Sequence, residues 1–198
     1  MPPPPRNPFA RAVRGLSWAA GGFRPPPPGA VKRVLLRWYC LRYRPHAFVE
    51  TGTLYGDTTH ALRRLCPRLY TIELAPALAA RAAARFEHLD RITVLEGDSG
   101  ELLPELVGRL PDRVLFWLDG HFSGGETAHG STETPIAREL ASILALPESA
   151  GHIVLIDDAR EFVGGAYPTL GELEESVRAR WPSYRVRVAN DSVRITPP

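Results

Sequence analysis

Acidic residues close one apolar run after another along this chain: Glu50, Glu73, Asp98, Asp119 and the pair Asp157-Asp158. The first of them heads the turn Glu50-Thr51-Gly52-Thr53-Leu54-Tyr55-Gly56-Asp57-Thr58, whose G-x-x-x-G spacing lets the backbone turn N–H groups toward a ligand. A carboxylate two residues ahead of the first glycine would repel a dinucleotide pyrophosphate. A ligand with a cationic group beside its anionic one fits better. Glu73 follows the turn by about 20 residues, a separation that suits a carboxylate gripping both hydroxyls of a ribose. That spacing alone does not separate NAD from another adenosine ligand.

For these acids to act together, an open α/β sheet must bring them to one rim, because such sheets bind ligands outside the carboxyl ends of their strands. The apolar runs predict strands at 47–51, 69–73, 92–96, 114–119 and 153–157, with helices near 57–65, 76–88, 100–109 and 135–145. Pro76 and Pro135 suit first-turn positions, and Asp98 with Glu101 suits a capping box. Val114 to Leu118 and Ile153 to Ile156 are nearly continuous in apolar residues, so these strands are expected to be covered on both faces. Upstream, Val31, Val34, Leu35, Trp38 and Leu41 recur at helical spacing and predict a helix packed on the sheet. Downstream, Thr169 and Glu172 cap a helix with Leu170, Leu173, Val177 and Trp181 on one face. Tyr184 to Ala189 and Ser192 to Thr196 then flank the hairpin signal Asn190-Asp191. The expected fold is α/β: a Rossmann-like, doubly wound, seven-stranded sheet, mostly parallel with a C-terminal antiparallel hairpin.

A length of 198 residues suits one core that buries roughly 70% of the unfolded chain's surface. Residues 30–198 are read as that domain and residues 1–29 as an appended arm, because Pro2 to Pro5 and Pro25 to Pro28 favour extended backbone. Within the arm Phe9, Ala12, Val13, Leu16 and Ala20 suit one face of a short helix, able to cover the core, a substrate or a partner subunit in a homodimer. Net charge is only +2, yet every charge among residues 1–49 is basic, from Arg6 to Arg44. Arginine replaces lysine almost everywhere, and the sole lysine is Lys32. Cys40 and Cys66 fall in segments that read as helical, have no metal-ligand spacing and build no disulfide framework, which points to a reducing, cytoplasmic setting and structural roles. No apolar run approaches the roughly 18 residues of a membrane span.

The ordered set E-T-G-T-L-Y-G-D-T, then Y-T-I-E-L, then E-G-D-S resembles class I S-adenosylmethionine-dependent methyltransferases over residues 30–196. Within them it is most similar to the catechol O-methyltransferase-like and macrolide-sugar O-methyltransferase-like groups. The resemblance implies methyl transfer from S-adenosylmethionine to a small-molecule acceptor, with a hydroxyl oxygen the expected acceptor atom. It implies that Glu50, Gly52, Thr53 and Gly56 surround the methionine part, with Thr58 near its carboxylate. Glu73 would hold the ribose, Asp98 and Ser99 would border the adenine, and the start of the Asp119 loop would lie beneath the sulfonium, with Asp119 among the cofactor-binding residues. It also implies a magnesium site on Asp119, Asp157 and Asp158, oxygen ligands that suit a hard cation. Asp157 and Asp158 would otherwise only cap the next turn and bond to backbone.

His121, two residues beyond Asp119, is the best candidate general base, with Asp119 beside it in the catalytic set; the alternatives for it are a metal ligand or a bond to the loop. The catechol enzymes place a lysine in this region, and this chain does not. The glycine-rich segment from Gly120 to Glu133 is expected to form part of the acceptor pocket, opposite Gly164-Gly165-Ala166-Tyr167. His152 precedes strand five and belongs at the far end of the sheet, in a structural role. An iron oxygenase would need Asp119, His121 and His129 as a facial triad on a fold usually built from β-strands. A nicotinamide-dependent oxidoreductase would need a G-x-G-x-x-G turn without the preceding acid. The remaining alternative is a non-catalytic methyltransferase-like scaffold whose basic arm binds RNA or protein. No aromatic-rich basic stripe supports nucleic acid as the partner.

Overall fold

The computed structural model describes Trp18, Gly22, residues 25–119 and residues 134–198. The readings of the N-terminal arm and of segment 120–133 fall largely or wholly outside these residues. The elements run α1 Gly29–Tyr43, β1 Ala47–Thr51, α2 Asp57–Leu62, β2 Arg68–Glu73, α3 Pro76–Phe86, β3 Ile92–Glu96, α4 Ser99–Val107, β4 Val114–Leu118, α5 Ile136–Leu144, β5 Ile153–Ile156, α6 Leu170–Arg180, β6 Arg185–Ala189 and β7 Ser192–Thr196. The seven strands form one sheet in the order β3-β2-β1-β4-β5-β7-β6. Its first five strands are parallel, and β7 runs antiparallel to both β5 and β6. Strand order reverses between β1 and β4, and that reversal opens a crevice at their carboxyl ends.

Period-2 alternation sorts the strand side chains into two layers. Val49, Phe116, Leu118, Val154 and Ile156 face the layer of α4, α5 and α6, where Leu103, Ile143, Val177 and Trp181 pack. Phe48, Leu115, Trp117, Ile153 and Leu155 face the layer of α1, α2 and α3, through Leu36, Leu62, Ala82 and Phe86. Both faces of the parallel strands are covered, as their continuous apolarity predicts.

α1 packs on the sheet with a different face from the one its periodicity suggests. Leu36, Tyr39 and Cys40 are buried, whereas Val34, Trp38 and Leu41 are 68%, 54% and 63% exposed. The helix is apolar around much of its circumference, so spacing does not choose the inward stripe. Contact with Phe48, Leu115 and Trp117 chooses it. The rotation has one large consequence: Lys32, one helical turn before Leu36, falls on the inward side.

Element ends differ by a few residues from expectation, and two of the shifts bear on chemistry. β4 and β5 stop at Leu118 and Ile156, which leaves Asp119 and Asp157 just beyond the ladder. α2 stops at Leu62, so Cys66 lies in the bend before β2 and not in a helix. Its thiol meets that of Cys40 at 3.6 Å, and both are buried. That hydrogen bond and then burial push the Cys40 pKa up, which keeps the thiol protonated and unreactive. At the C-terminus the Thr169–Glu172 capping box forms in both directions, and Asn190 and Asp191 turn the hairpin with φ of 51° and 60°. His152 lies at the amino end of β5, buried between Phe116 and Trp181, and its Nδ1 accepts from the Val114 N–H at 3.2 Å.

Candidate functional site

The glycine turn is held in place from below. Gly52 and Gly56 have φ of 82° and 68°, a conformation that residues with a Cβ adopt at a cost. A Cβ on Gly56 would lie 2.8 Å from the Phe86 ring, so the turn can sit this close to α3 only with glycine there. Arg85 of α3 binds the Tyr55 carbonyl and the Asp57 carboxylate, and Arg81 lies 5.2 Å from the Tyr55 ring centroid. The Leu54 N–H donates to Glu73 Oε2 at 2.7 Å, and the Ala75 N–H donates to Oε1 at 3.0 Å. Glu73 therefore ties the turn to the end of β2 while each of its oxygens retains a second lone pair.

Glu50 is buried beneath this turn. Thr59 Oγ1 donates to its Oε2 at 2.6 Å and Thr71 Oγ1 at 3.1 Å, while Thr53 Oγ1 meets Thr71 Oγ1 at 2.5 Å. Burial pushes the Glu50 pKa up to about 7, against the pull of hydroxyls from Thr59, Thr71 and Thr58. Its hydrogen-bond partners among the described residues are hydroxyls and a backbone N–H. A buried carboxylate hydrogen-bonded in this way is suited to an incoming ammonium.

Register brings the next acids alongside. Thr51 pairs with Leu118 and Leu118 with Ile156, so Gly52, Asp119 and Asp157 follow at one level of the sheet. Alternation then decides direction. Glu50 shares parity with Phe48, Asp119 with Leu115 and Trp117, and Asp157 with Ile153 and Leu155, so all three belong to the face that α1 covers. Lys32 of α1 meets them there, its Nζ donating to Asp157 Oδ2 in a close ion pair. Burial works against the Lys32 ammonium, but the charges of Asp119, Asp157 and Asp158 outweigh it and raise its pKa above the usual lysine value. The Asp119 carboxyl is pushed well up, by burial first and then by the neighbouring Asp157 charge, with Lys32 opposing. Asp119 and Asp157 also share a side-chain hydrogen bond, and Thr51 Oγ1 is buried with no hydrogen-bond partner among the described residues.

Asp158 has the opposite parity: its charge still reaches Lys32, but its carboxylate pairs with a different cation. With φ of 53° it turns toward Arg160, whose Nη1 lies 2.7 Å from its Oδ1 and also binds Asp191 of the hairpin. The donor chemistry of Asp119, Asp157 and Asp158 is right for magnesium, but the arrangement is not. One Asp157 oxygen is taken by an ammonium and Asp158 by a guanidinium. Among the described residues no group of three or more His, Cys, Asp or Glu stands where it could hold a metal ion. As arranged, these side chains do not fit the expected metal.

Asp98 caps α4, its Oδ1 accepting from the Gly100 N–H at 2.8 Å, while Oδ2 lies 3.2 Å from Arg138 Nη2. Glu101, expected to complete a capping box, instead approaches the same guanidinium at 4.0 Å. Ser99 is buried beside Asp98. Tyr167 packs edge-on against Phe162, and burial pushes its phenol pKa up to about 12. His121 lies outside the described residues. The structure thus gathers Glu50, Thr53, Thr58, Asp119 and Asp157 around the β1/β4 crevice, with Glu73 and Asp98 at the neighbouring strand ends. Lys32 and Arg160 are the residues that sequence reasoning missed. A signal for the first was present: it is the sole lysine among 24 Lys and Arg.

No protein-family model matches the chain. A protein-L-isoaspartate O-methyltransferase of Nitrobacter winogradskyi is 42% identical over 69 residues, 34% of this chain, and the match spans only 31% of that protein. The fold is similar to an O-methyltransferase of Bacillus cereus solved in complex with SAH, with a TM-score of 0.58 at 15% identity over 98% of this chain and 92% of that one. It is also similar to the O-methyltransferase TomG of Streptomyces achromogenes, involved in tomaymycin synthesis and solved with SAM, at TM-score 0.55, 16% identity and the same 98% and 92% coverage. The likeness is one of fold: the seven-stranded, Rossmann-like sheet of these O-methyltransferases, as the motifs implied.

Proposed function

We propose that this chain transfers a methyl group from S-adenosylmethionine to a small-molecule acceptor, at a hydroxyl oxygen. The observation that carries the reading is Glu50, a buried carboxylate hydrogen-bonded by hydroxyls, with no ion pair among the described residues, set directly under a glycine turn; it suits an amino-acid-bearing cofactor and disfavours a pyrophosphate. S-adenosylmethionine, when bound, supplies an electrophilic methyl carbon on a sulfonium. The chain's part is placement and charge. Glu50 would take the ammonium of the methionine portion, with Gly52, Thr53, Gly56 and Thr58 around it. Glu73 would accept from the ribose hydroxyls with the lone pairs that Leu54 and Ala75 leave open. Asp98 and Ser99 would border the adenine.

Asp119, at the switch point beside Glu50, would lie under the reacting centre and orient the acceptor oxygen for in-line displacement. His121, two residues on, is the proton acceptor in this reading. The fold likeness and the short stretch of identity to a protein O-methyltransferase support methyl transfer to oxygen. Isothermal titration calorimetry with S-adenosylmethionine, S-adenosylhomocysteine and NAD tests the reading directly. Both sulfur nucleosides are expected to bind and NAD to give no heat. Binding of NAD alone would overturn it, and a chain that bound none of them while retaining RNA would favour the scaffold alternative.

A further inference from the structure

We propose that the Lys32 ammonium is the resident cation of this site, standing where a divalent metal would otherwise neutralise Asp119 and Asp157. Methyl transfer then proceeds without divalent metal. The inference deepens the methyl-transfer reading and rests on it for the acceptor, though not for the cation. Three independent features place the ammonium there. Strand parity turns Asp119 and Asp157 to the face that α1 covers. The inward stripe of α1 continues from Cys40, Tyr39 and Leu36 back one turn to Lys32. The contact itself is the third, since Lys32 Nζ donates to Asp157 Oδ2.

The choice of lysine has a physical reason. An ammonium is a compact point charge with three donors on a flexible stem, whereas a guanidinium is a broad planar fork. Only the former mimics a metal ion seated between two carboxylates at adjacent strand ends. The Asp157 side chain is sealed at 0% exposure and that of Lys32 retains 19%, so the ammonium is the outer member of the pair and the one that an acceptor meets. A donor N–H directed at the reacting oxygen favours acceptors whose hydroxyl is acidic or gains negative charge as it attacks. A divalent ion added to the same carboxylate would face a like charge across it.

The test is Mn2+ titration of the full chain followed by electron paramagnetic resonance. Wild type is expected to show no saturable Mn2+ binding. Lys32→Met is expected to gain one saturable Mn2+ site that wild type lacks, because the like charge has gone. Adding Asp157→Asn should abolish that gain, and Lys32→Arg, which retains a positive charge, should not show it. One Mn2+ bound by wild type and lost in Asp157→Asn would overturn the proposal, with no need for any Lys32 variant to fold. So would a folded Lys32→Met that gains nothing. Calorimetry with S-adenosylmethionine on the same samples reports on the methyl-transfer reading separately, so the two can fail independently.

Discussion

Glu50 joins two properties that oppose each other in a resting protein: a position suited to bind a cation, and burial that disfavours its own charge. With its pKa raised from 4.5 to about 7, the folded chain holds a proton there that the unfolded chain releases above pH 4.5. The contribution of this group to stability is therefore complete below pH 4.5 and is lost as pH rises through 7, by up to about 3 kcal/mol. Glu50→Gln retains the shape and removes the titration. Urea denaturation of the ligand-free protein should show the variant gaining stability relative to wild type between pH 5 and pH 8, by about 1–3 kcal/mol. S-adenosylmethionine affinity of the variant at pH 8 should fall at least about tenfold, since a charge-assisted hydrogen bond to the ammonium is lost. A wild-type pH profile that matches that of Glu50→Gln would show that the carboxylate titrates normally.

At the scale of elements, the orientation of α1 decides what the site contains. Its sequence offers two apolar stripes, and only one of them carries Lys32 on the same side. Leu36→Ala should therefore cost about 2–5 kcal/mol in denaturant unfolding, the range for truncating a buried leucine. Trp38→Ser, on the exposed stripe, should shift stability by no more than about 0.5 kcal/mol. The reverse order would mean that α1 packs through the stripe its periodicity suggests, and Lys32 would then leave the acids. The glycine turn shows the same dependence on neighbours. Its residues specify a turn, but Arg85, Arg81 and Phe86 of α3 hold it over the sheet.

Across the whole molecule, the C-terminal hairpin and the strand-end acids are joined through one side chain. Arg160 links Asp158 after β5 to Asp191 at the hairpin turn, and Ala159 N–H donates to the Asp191 carbonyl at 2.9 Å. Both carboxylates are nearly buried while the arginine is 40% exposed, so solvent screens the pair in part. Arg160→Ala should cost about 1–2 kcal/mol and speed amide hydrogen exchange in β6 and β7 more than in β1 and β4. Uniform exchange with unchanged stability would assign the bridge no structural weight. No described helix is long and apolar enough to cross a membrane.

Strand and helix order, the hairpin, the two-sided burial of β4 and β5 and the series of acids at strand ends were all legible in the sequence. Each depends on local periodicity and turn chemistry, which short stretches of chain encode by themselves. The tertiary structure decided which acids share a face, and it did so through register and parity between strands far apart in sequence. By that geometry Asp157 joined Asp119 and Glu50, and Asp158 turned away to Arg160. It also decided that Lys32 faces inward, because the rotation of an apolar helix about its own axis is set by the surface it packs on. The sequence named the acids; only the fold determined which cation they meet.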